Sequence, residues 1–395
     1  MQLLMIAYAC NPEGSGEHWL GWGWAEQAAK TFSVHLITTP NARAQIEKHA
    51  PGHGITPHFV EQPAVGRWRR KILWQKRVAN LATELHTRER FHIVHQTTFH
   101  TFRVPFRAAE LDIPSVWGPI AGGESVPPGF GADLGGARFG EFSRRLINRL
   151  SLLLPSVRRS LARTNTIFVS NRTTLDFLPA IHRGKCVIVP PNALRPEDEQ
   201  FPEPQPPRDT SGQFQLLYVG NCVATRALPL VFDALVTGHF ENVKLTIVGD
   251  GPALAHWKEI VDSSELSGSV EFTGQVTRDK LPELYGRAHA LVFPALRDSG
   301  GSALLEAMAR GVPVICLDWG GPGEMVDEHS GVKIPVRDRA ETVASLAAAI
   351  ARLNASPELC LALARAARER ALRLFRWDAK AALLNTTYQR LLARS

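Results

Sequence analysis

The stretch DSGGSALLE places two carboxylates, Asp298 and Glu306, on either side of a glycine pair. Gly300 and Gly301 carry no side chains, so we predict bare backbone N–H groups at the positive end of a helix dipole. A helix start of this kind binds phosphate groups. Ser302 is the predicted N-cap. A pyrophosphate between two sugars would fit, with one carboxylate for the hydroxyl groups of each sugar.

Apolar segments on both sides must position these residues. HALVFPAL, residues 289–296, predicts a buried strand. SALLEAMARG, residues 302–311, predicts a helix that buries Leu304, Leu305 and Met308 and ends at Gly311. The sequence therefore predicts a strand, a tight glycine turn and a helix.

This stretch resembles the acidic motif (Glu, seven residues, Glu) of the retaining glycosyltransferases of family 4, which have the GT-B fold. The similarity continues from Gly311 to Val326. It implies that the first acid, here Asp298, contacts the donor sugar and that Glu306 holds the nucleotide ribose. It also implies that the turn residues bind the diphosphate: Ser299, Gly300, Gly301 and Ser302. Asp298 is one methylene shorter than the usual Glu.

The same resemblance covers the segment from Phe214 to Val276. Family members carry Gly-Arg after the first strand, where this chain has Gly220 and Asn221. Arg226 stands where the family has a lysine that grips the diphosphate, and arginine keeps that positive charge. The further donor-binding residues implied are Gly249, Gly274 and Val276.

The length of 395 residues suits two domains. We predict an α/β protein of the GT-B fold, with two Rossmann-like domains facing across a cleft. The predicted parts are an acceptor-binding domain over 1–200, a Pro-rich linker over 201–212 and a nucleotide-sugar-binding domain over 213–375. A terminal helix over 376–395 is predicted to pack back on the first domain.

The first domain should bind the acceptor through its loops. A strand over residues 2–9 leads into a glycine-rich loop, and a helix is predicted to open near residues 21–24. This loop resembles a family 4 subgroup in which Gly-Ser-Glu precedes Gly-Trp, and so does a later Trp-Gly-Pro strand end followed by glycines and Glu. The acceptor-binding residues implied are Ser15, Gly16, Glu17, Gly122, Gly123 and Glu124.

His95 lies at the carboxyl end of a predicted strand, where open α/β sheets bind ligands. It could orient phosphate or acceptor hydroxyls, or be a half-buried structural histidine. His92 lies on the opposite strand face, so the two cannot easily share a metal ion. We predict no metal site and no cofactor besides the nucleotide-sugar substrate. The predicted catalytic residues are Asp298, Glu306, Arg226 and His95.

Positive charge is concentrated in the first half, where residues 1–200 hold 24 Lys+Arg against 16 Asp+Glu. No recognition motif for nucleic acid accompanies it. Residues 138–163 predict an amphipathic basic segment, which is either a surface helix over the core or a surface that contacts an anionic membrane. Its arginines are Arg144, Arg145, Arg149, Arg158, Arg159 and Arg163.

Localisation is predicted from three absences in the sequence. No apolar run approaches the roughly 18 residues of a membrane span, and the opening residues lack the basic start of a signal peptide. The five cysteines show no metal or redox spacing. These features predict a cytoplasmic protein, with the inner face of the cytoplasmic membrane as a second possible location.

The predicted function is transfer of a sugar, with retention, from a nucleotide-diphosphate-sugar to a glycan or lipid-linked acceptor. The setting would be cell-surface polysaccharide or glycolipid biosynthesis. Two alternatives remain open: a nucleotide-sugar 2-epimerase of the same fold, and a binding protein that has lost catalysis. A nicotinamide dehydrogenase is disfavoured because Gly21 and Gly23 lack the third glycine of the dinucleotide fingerprint.

Overall fold

The computed structural model describes residues 1–201, 204 and 212–394, which form two compact units. Unit 1 contains Met1–Gly123, Arg144–Ala193 and the segment from Trp377 onward, and unit 2 contains Glu124–Ser143 and Leu194–Arg376. This grouping differs from the predicted domains over residues 124–143 and 194–200. The predicted linker over 201–212 lies almost wholly outside the described residues.

Unit 1 is built on a parallel sheet of seven strands in the order β3-β2-β1-β4-β5-β6-β7. All neighbouring strands are parallel, and the residues of the five inner strands are almost all buried, as expected for a sheet covered on both faces. The strands are β1 (Gln2–Ala7), β2 (Ser33–Thr38), β3 (Ile55–Phe59), β4 (Ile93–Thr98), β5 (Ser115–Ile120), β6 (Thr166–Val169) and β7 (Cys186–Ile188).

Helices connect these strands. The helix Arg138–Ser151 belongs to both units, because unit 2 includes its residues up to Ser143 and unit 1 includes those from Arg144. They are α1 (Glu17–Ala29), α2 (Arg43–His49), α3 (Arg67–Glu89), α4 (Arg138–Ser151), α5 (Pro155–Arg163), α6 (Arg172–Phe177) and α7 (Ala180–Arg183).

Helix α1 begins at Glu17, so the prediction that it opens near residues 21–24 is wrong. Gly21 and Gly23 lie inside this helix, at positions where neighbouring groups leave no room for a side chain. A Cβ on Gly21 would lie 2.0 Å from the carbonyl oxygen of Ala9, and one on Gly23 would lie 2.0 Å from the ring of Trp377. These glycines serve close packing rather than a loop.

After the segment Glu124–Ser143, unit 2 continues with α8 (Pro196–Glu199), and it contains a six-stranded parallel sheet in the order β10-β9-β8-β11-β12-β13. The strands are β8 (Phe214–Val219), β9 (Val243–Val248), β10 (Val270–Gly274), β11 (Ala290–Phe293), β12 (Val314–Leu317) and β13 (Gly331–Ile334). The further helices are α9 (Pro229–Gly238), α10 (Leu254–Asp262), α11 (Leu281–Arg287), α12 (Ser302–Ala309), α13 (Gly320–Met325), α14 (Arg339–Asn354) and α15 (Pro357–Phe375).

The last helix, α16 (Trp377–Leu392), returns to unit 1 as predicted. Trp377, Leu384 and Tyr388 are buried in the same core as Trp24 of α1. The ring centroids of Trp24 and Trp377 are 5.5 Å apart in an edge-on arrangement, which is a favourable aromatic contact. The end of the chain therefore completes the core of the first unit.

A search of the described residues finds no single helix that could span a membrane. Only α14 joined to the helices after it reaches the required length and apolar composition, and that pair is bent by 103°.

Candidate functional site

The strand order of unit 2 reverses between β8 and β11. The chain adds β9 and β10 on one side of β8 and then places β11, β12 and β13 on the other. Loops diverge at such a switch point, and the carboxyl ends of the strands there form a crevice for ligands. Every predicted donor-binding residue of this unit lies at, or follows, the carboxyl end of β8, β9, β10 or β11. The structure therefore brings them to one edge of one sheet.

The turns after β8 and β9 lie against each other, which requires glycine. Gly249 has a φ of 142°, and a Cβ there would lie 1.9 Å from the carbonyl oxygen of Gly220. The N–H of Gly249 donates to the carbonyl of Gly274 over 2.9 Å, and this hydrogen bond connects the turn after β9 to the end of β10. Asn221 is exposed after β8, while Val276 is partly buried against the core. These glycines keep the backbone of the strand ends in close contact.

Asp298 is held from two directions. Its Oδ2 forms an ion pair with Arg226, and its Oδ1 accepts the N–H of Gly300 over 2.7 Å. The Asp298 side chain is 9% exposed and that of Arg226 is 20% exposed. The predicted bare N–H at Gly300 is therefore wrong, because the short Asp298 side chain folds back onto its own turn. The pair links the ends of β8 and β11.

A second glycine turn, after β12, supports the turn from 298 to 301. The N–H of Gly321 donates to the carbonyl of Asp298 over 2.9 Å, and a Cβ on Gly321 would lie 2.3 Å from the backbone of Ser299. Gly301 is equally restricted, since its Cβ would lie 2.8 Å from the ring of Phe293. Close packing thus fixes the backbone just before α12.

Helix α12 has Gly301 as its N-cap, so the prediction that Ser302 is the cap is wrong. An N-cap residue has a non-helical backbone. Gly301 has such a backbone (φ −73°, ψ 114°), while Ser302 is already the first helical residue and is exposed.

Glu306 lies in the second turn of α12, with its side chain 17% exposed. The hydroxyl of Tyr285 donates to its Oε2 over 3.3 Å, and Arg278 lies 4.0 Å away. Burial raises the pKa of Glu306 above its ordinary value, although Arg278 opposes the shift. The Glu306 carboxylate is therefore largely shielded from water and lies near Arg278.

Sequence patterns did not identify Arg278 and Tyr285. Both lie far from Glu306 in the chain, and only the position of Arg278 after the end of β10 could have indicated it. Arg278 also lies 3.6 Å from Asp198, which pairs with the buried Arg310 over 2.7 Å. The surroundings of Glu306 are thus a network of opposite charges.

In unit 1 the switch point lies between β1 and β4. The loop after β1 contains the exposed Ser15 and Gly16, and Gly16 is the N-cap of α1 with a φ of 54°. Glu17 accepts the N–H of His100, which follows β4, over 2.9 Å. Three predicted acceptor-binding residues therefore lie where this sheet would be expected to bind a ligand.

The second predicted acceptor loop is divided between the two units. Gly122 and Gly123 belong to unit 1, and Glu124 belongs to unit 2, where it is 5% exposed. Gly122 has a φ of 113°, and a Cβ on Gly123 would lie 2.6 Å from Cα of Thr174. Both positions therefore require glycine for packing and backbone conformation alone.

His95 is not available to a ligand, so its predicted catalytic and acceptor-binding role is wrong. It is fully buried, with Nδ1 2.6 Å from the hydroxyl of Tyr388 and Nε2 2.8 Å from the carbonyl oxygen of Gly118. Burial lowers its pKa to about 4, which keeps the ring neutral. His95 is the third of the six residues of β4, so the prediction that it lies at the carboxyl end of the strand is wrong, and Tyr388 of α16 packs against its ring inside unit 1.

Over the described part of the chain, no group of three or more His, Cys, Asp or Glu side chains could hold a metal ion.

The segment that contains this site is similar to known glycosyltransferases. Residues 200–370 match the family model "Glycosyl transferases group 1". The GDP-mannose-dependent alpha-(1-6)-phosphatidylinositol monomannoside mannosyltransferase of Mycobacterium tuberculosis is 33% identical over 165 residues, which cover 38% of this chain and 42% of that protein. The chain thus matches less than half the length of this curated relative.

Solved structures resemble the whole chain at low sequence identity. Sucrose-phosphate synthase from Thermosynechococcus elongatus is similar over 100% of both chains, with a TM-score of 0.68 and 18% identity. The HepE protein of Anabaena in complex with UDP-glucose is similar over 100% of both chains, with a TM-score of 0.61 and 14% identity. The predicted GT-B fold is confirmed, and the predicted resemblance to glycosyltransferases is confirmed at the level of group 1.

Proposed function

We propose that this protein transfers a sugar, with retention and without a divalent metal, from a nucleotide-diphosphate-sugar to a glycan or lipid-linked acceptor. One observation carries the proposal. Arg226, Asp298 and Glu306 gather around the start of α12, at the switch point of the sheet in unit 2 and within the matched segment. A cation, a helix start and a separate carboxylate suit the diphosphate and ribose of one nucleotide.

Each charged residue has a distinct role in this proposal. Glu306 accepts hydrogen bonds from the ribose hydroxyls, while Arg226 binds the diphosphate. Both oxygens of Asp298 already have partners, Arg226 and the Gly300 N–H. We therefore assign Asp298 to positioning Arg226 and the turn, rather than to the sugar contact that the family resemblance implied.

Arg226 and the start of α12 stabilise the negative charge that develops on the diphosphate as the anomeric C–O bond breaks. The sugar passes through an oxocarbenium-like state, and the acceptor hydroxyl attacks from the face that the diphosphate leaves. A phosphate oxygen takes the hydroxyl proton. No protein base is required in this mechanism.

Two observations support the acceptor and the location. The mycobacterial relative acts, by its name, on a phosphatidylinositol mannoside. All five cysteines are free thiols, as is usual in a reducing compartment. We therefore place the enzyme in the cytoplasm, at the inner face of the membrane, in the synthesis of cell-surface glycolipid or polysaccharide.

The test is release of nucleoside diphosphate from a panel of UDP-, GDP- and ADP-sugars, with and without a bacterial glycolipid extract. We expect release from one donor only when the extract is present, and loss of that release in Glu306→Ala. The exposed Glu328→Ala is the matched control and should retain activity. Conversion of the donor to its 2-epimer without acceptor, or nucleotide binding with no release, would contradict the proposal.

A further inference from the structure

Helix α4 has its polar and apolar faces reversed relative to an ordinary surface helix. Its buried positions include Asn148 and Ser151, and Asn148 donates to the carbonyl of Gly122. Leu146, Ile147 and Leu150, by contrast, are 48%, 48% and 52% exposed. A surface helix normally buries its apolar stripe against the core. The fold of this chain therefore does not explain the leucines of α4.

The exposed apolar surface continues in both directions along the chain. Leu153 and Leu154, in the turn between α4 and α5, are 67% and 45% exposed. Toward the start of the helix, Phe139 and Phe142 are 82% and 65% exposed. Phe139, Phe142, Leu146 and Leu150 are spaced by three, four and four residues, which places them on one helical face. A contiguous apolar stripe of this size marks an interaction surface.

From Arg144 onward, the charge beside the stripe is positive. Between Arg144 and Arg163 the sequence holds six arginines and no Asp or Glu. Arg145 and Arg149 are exposed and lie one turn apart on the face next to the leucines. Arg158 and Arg159 are exposed on α5, and Arg159 forms an exposed ion pair of 3.6 Å with Glu110.

We propose that α4 and the turn that follows it form a surface that binds an anionic lipid bilayer. The leucines and phenylalanines enter the boundary between headgroups and acyl chains, and the arginines bind lipid phosphates. Exposed apolar side chains flanked by arginine are the composition of helices that lie in a membrane interface. Each cation adds to attraction for an anionic leaflet. Charge complementarity selects anionic lipid over a neutral apolar partner.

The experiment is flotation of the full chain with vesicles of phosphatidylcholine and phosphatidylglycerol (7:3) and with vesicles of phosphatidylcholine alone. The wild type should float with the anionic vesicles and bind the neutral ones at least about tenfold more weakly. Leu146→Ser with Leu150→Ser should weaken binding to anionic vesicles about tenfold. Arg145→Glu with Arg149→Glu should weaken it to a similar degree and remove most of its salt dependence.

Two matched doubles at other exposed positions serve as controls. Ile181→Ser with Leu374→Ser removes the same kind of apolar surface, and Arg352→Glu with Arg365→Glu makes the same change of charge. Both should float like the wild type, and all variants should unfold at the wild-type temperature because the changed side chains are exposed.

Three results would overturn the proposal. They are absence of wild-type binding to anionic vesicles, unchanged binding in both α4 doubles, and a wild-type dimer that becomes monomeric in the leucine double without any vesicle binding. The last result would make the stripe an interface between copies of the chain. Vesicle binding needs no nucleotide-sugar, so the outcome is independent of whether sugar transfer is found.

Discussion

In unit 2 the carboxyl ends of the strands carry charged pairs beside a helix start, whereas in unit 1 the histidine of the corresponding strand, β4, lies three residues before the end of the strand and is buried in the core. Arg226 and Asp298 form an ion pair, and their side chains are 20% and 9% exposed. Glu306 lies near Arg278. His95 has 0% exposure. Two parallel sheets with similar topology thus place their polar side chains differently. A sequence pattern indicates that a residue lies near a strand end, but the exact end of the strand and the elements packed on the sheet decide whether a ligand can reach it.

The difference has a structural cause in the last helix. Helix α16 packs on unit 1, and its Tyr388 occupies one ring nitrogen of His95. The ends of β8 and β11 instead meet glycine turns, which leave backbone and charged groups near the surface. In unit 1, Gly16 and Glu17 of the loop after β1 remain exposed or partly exposed.

The largest expected effect is the loss of nucleotide affinity when Arg226 of unit 2 is replaced. Arg226→Ala removes the proposed diphosphate ligand and leaves Asp298 without its cation, so the Kd for the cognate nucleoside diphosphate should rise about 100-fold. Calorimetric titration measures this change. Arg287→Ala, on the exposed face of α11, is the matched arginine control and should leave the Kd unchanged.

His95→Gln should also leave that Kd unchanged, because the ring lies in the core of the other unit. An equal loss of affinity in the Arg226 and His95 variants would contradict the assignment of the nucleotide site to unit 2.

The packing beneath the turn in unit 2 is tested by a pair of glycines. Gly321→Ala places a Cβ 2.3 Å from the backbone of Ser299 and should lower the free energy of unfolding by about 2 kcal/mol. Gly286, inside α11, has open space at its Cβ, so Gly286→Ala should stabilise by about 0.5–1 kcal/mol. Urea denaturation measures both. Similar effects of the two changes would mean that the turn is not held by close packing.

Acid should destabilise unit 1 through His95. Its pKa is about 4 when folded and 6.5 ordinarily, so between these values the unfolded state binds a proton that the native state does not. Stability is lost as the pH falls, by about 2 kcal/mol between pH 7 and pH 5. His95→Gln should remove this loss in urea denaturation at the two pH values, while the exposed His256→Gln should retain it.

The smallest expected effect concerns Glu306. Because burial raises its pKa, it should be protonated at a higher pH than an ordinary glutamate. Nucleotide affinity should therefore fall on mild acidification, when the ribose loses its charged acceptor. Glu306→Gln should raise the Kd about tenfold at neutral pH and flatten the pH profile. A variant profile as steep as that of the wild type would assign the titration to another group.

The strand, turn and helix around residues 298–306 could be predicted from the sequence because their signals are local. Apolar runs, a glycine pair and helical spacing all lie within about twenty residues of one another. The return of the last helix to unit 1 followed from the family resemblance.

Contacts distant in sequence could not be predicted. Tyr388, the partner of His95, is 293 residues away in the sequence, and the residues near His95 do not indicate this contact. The start of α1 was misplaced because the packing of Gly21 on Ala9 and of Gly23 on Trp377 is not visible in a local pattern. The pairing of Asp298 with Arg226 is likewise a tertiary contact. Because of this contact, we assign Asp298 to positioning Arg226 rather than to contacting the sugar.

The most direct test of the central claim is calorimetric titration of UDP, GDP and ADP into the wild type and into the double variant Arg226→Ala with Glu306→Ala. One nucleoside diphosphate should bind the wild type and show no binding to the double variant, while the double control Arg287→Ala with Glu328→Ala binds normally. Unchanged binding in the Arg226/Glu306 variant, or no binding of any of the three to the wild type, would contradict a nucleotide-sugar site at this edge of unit 2.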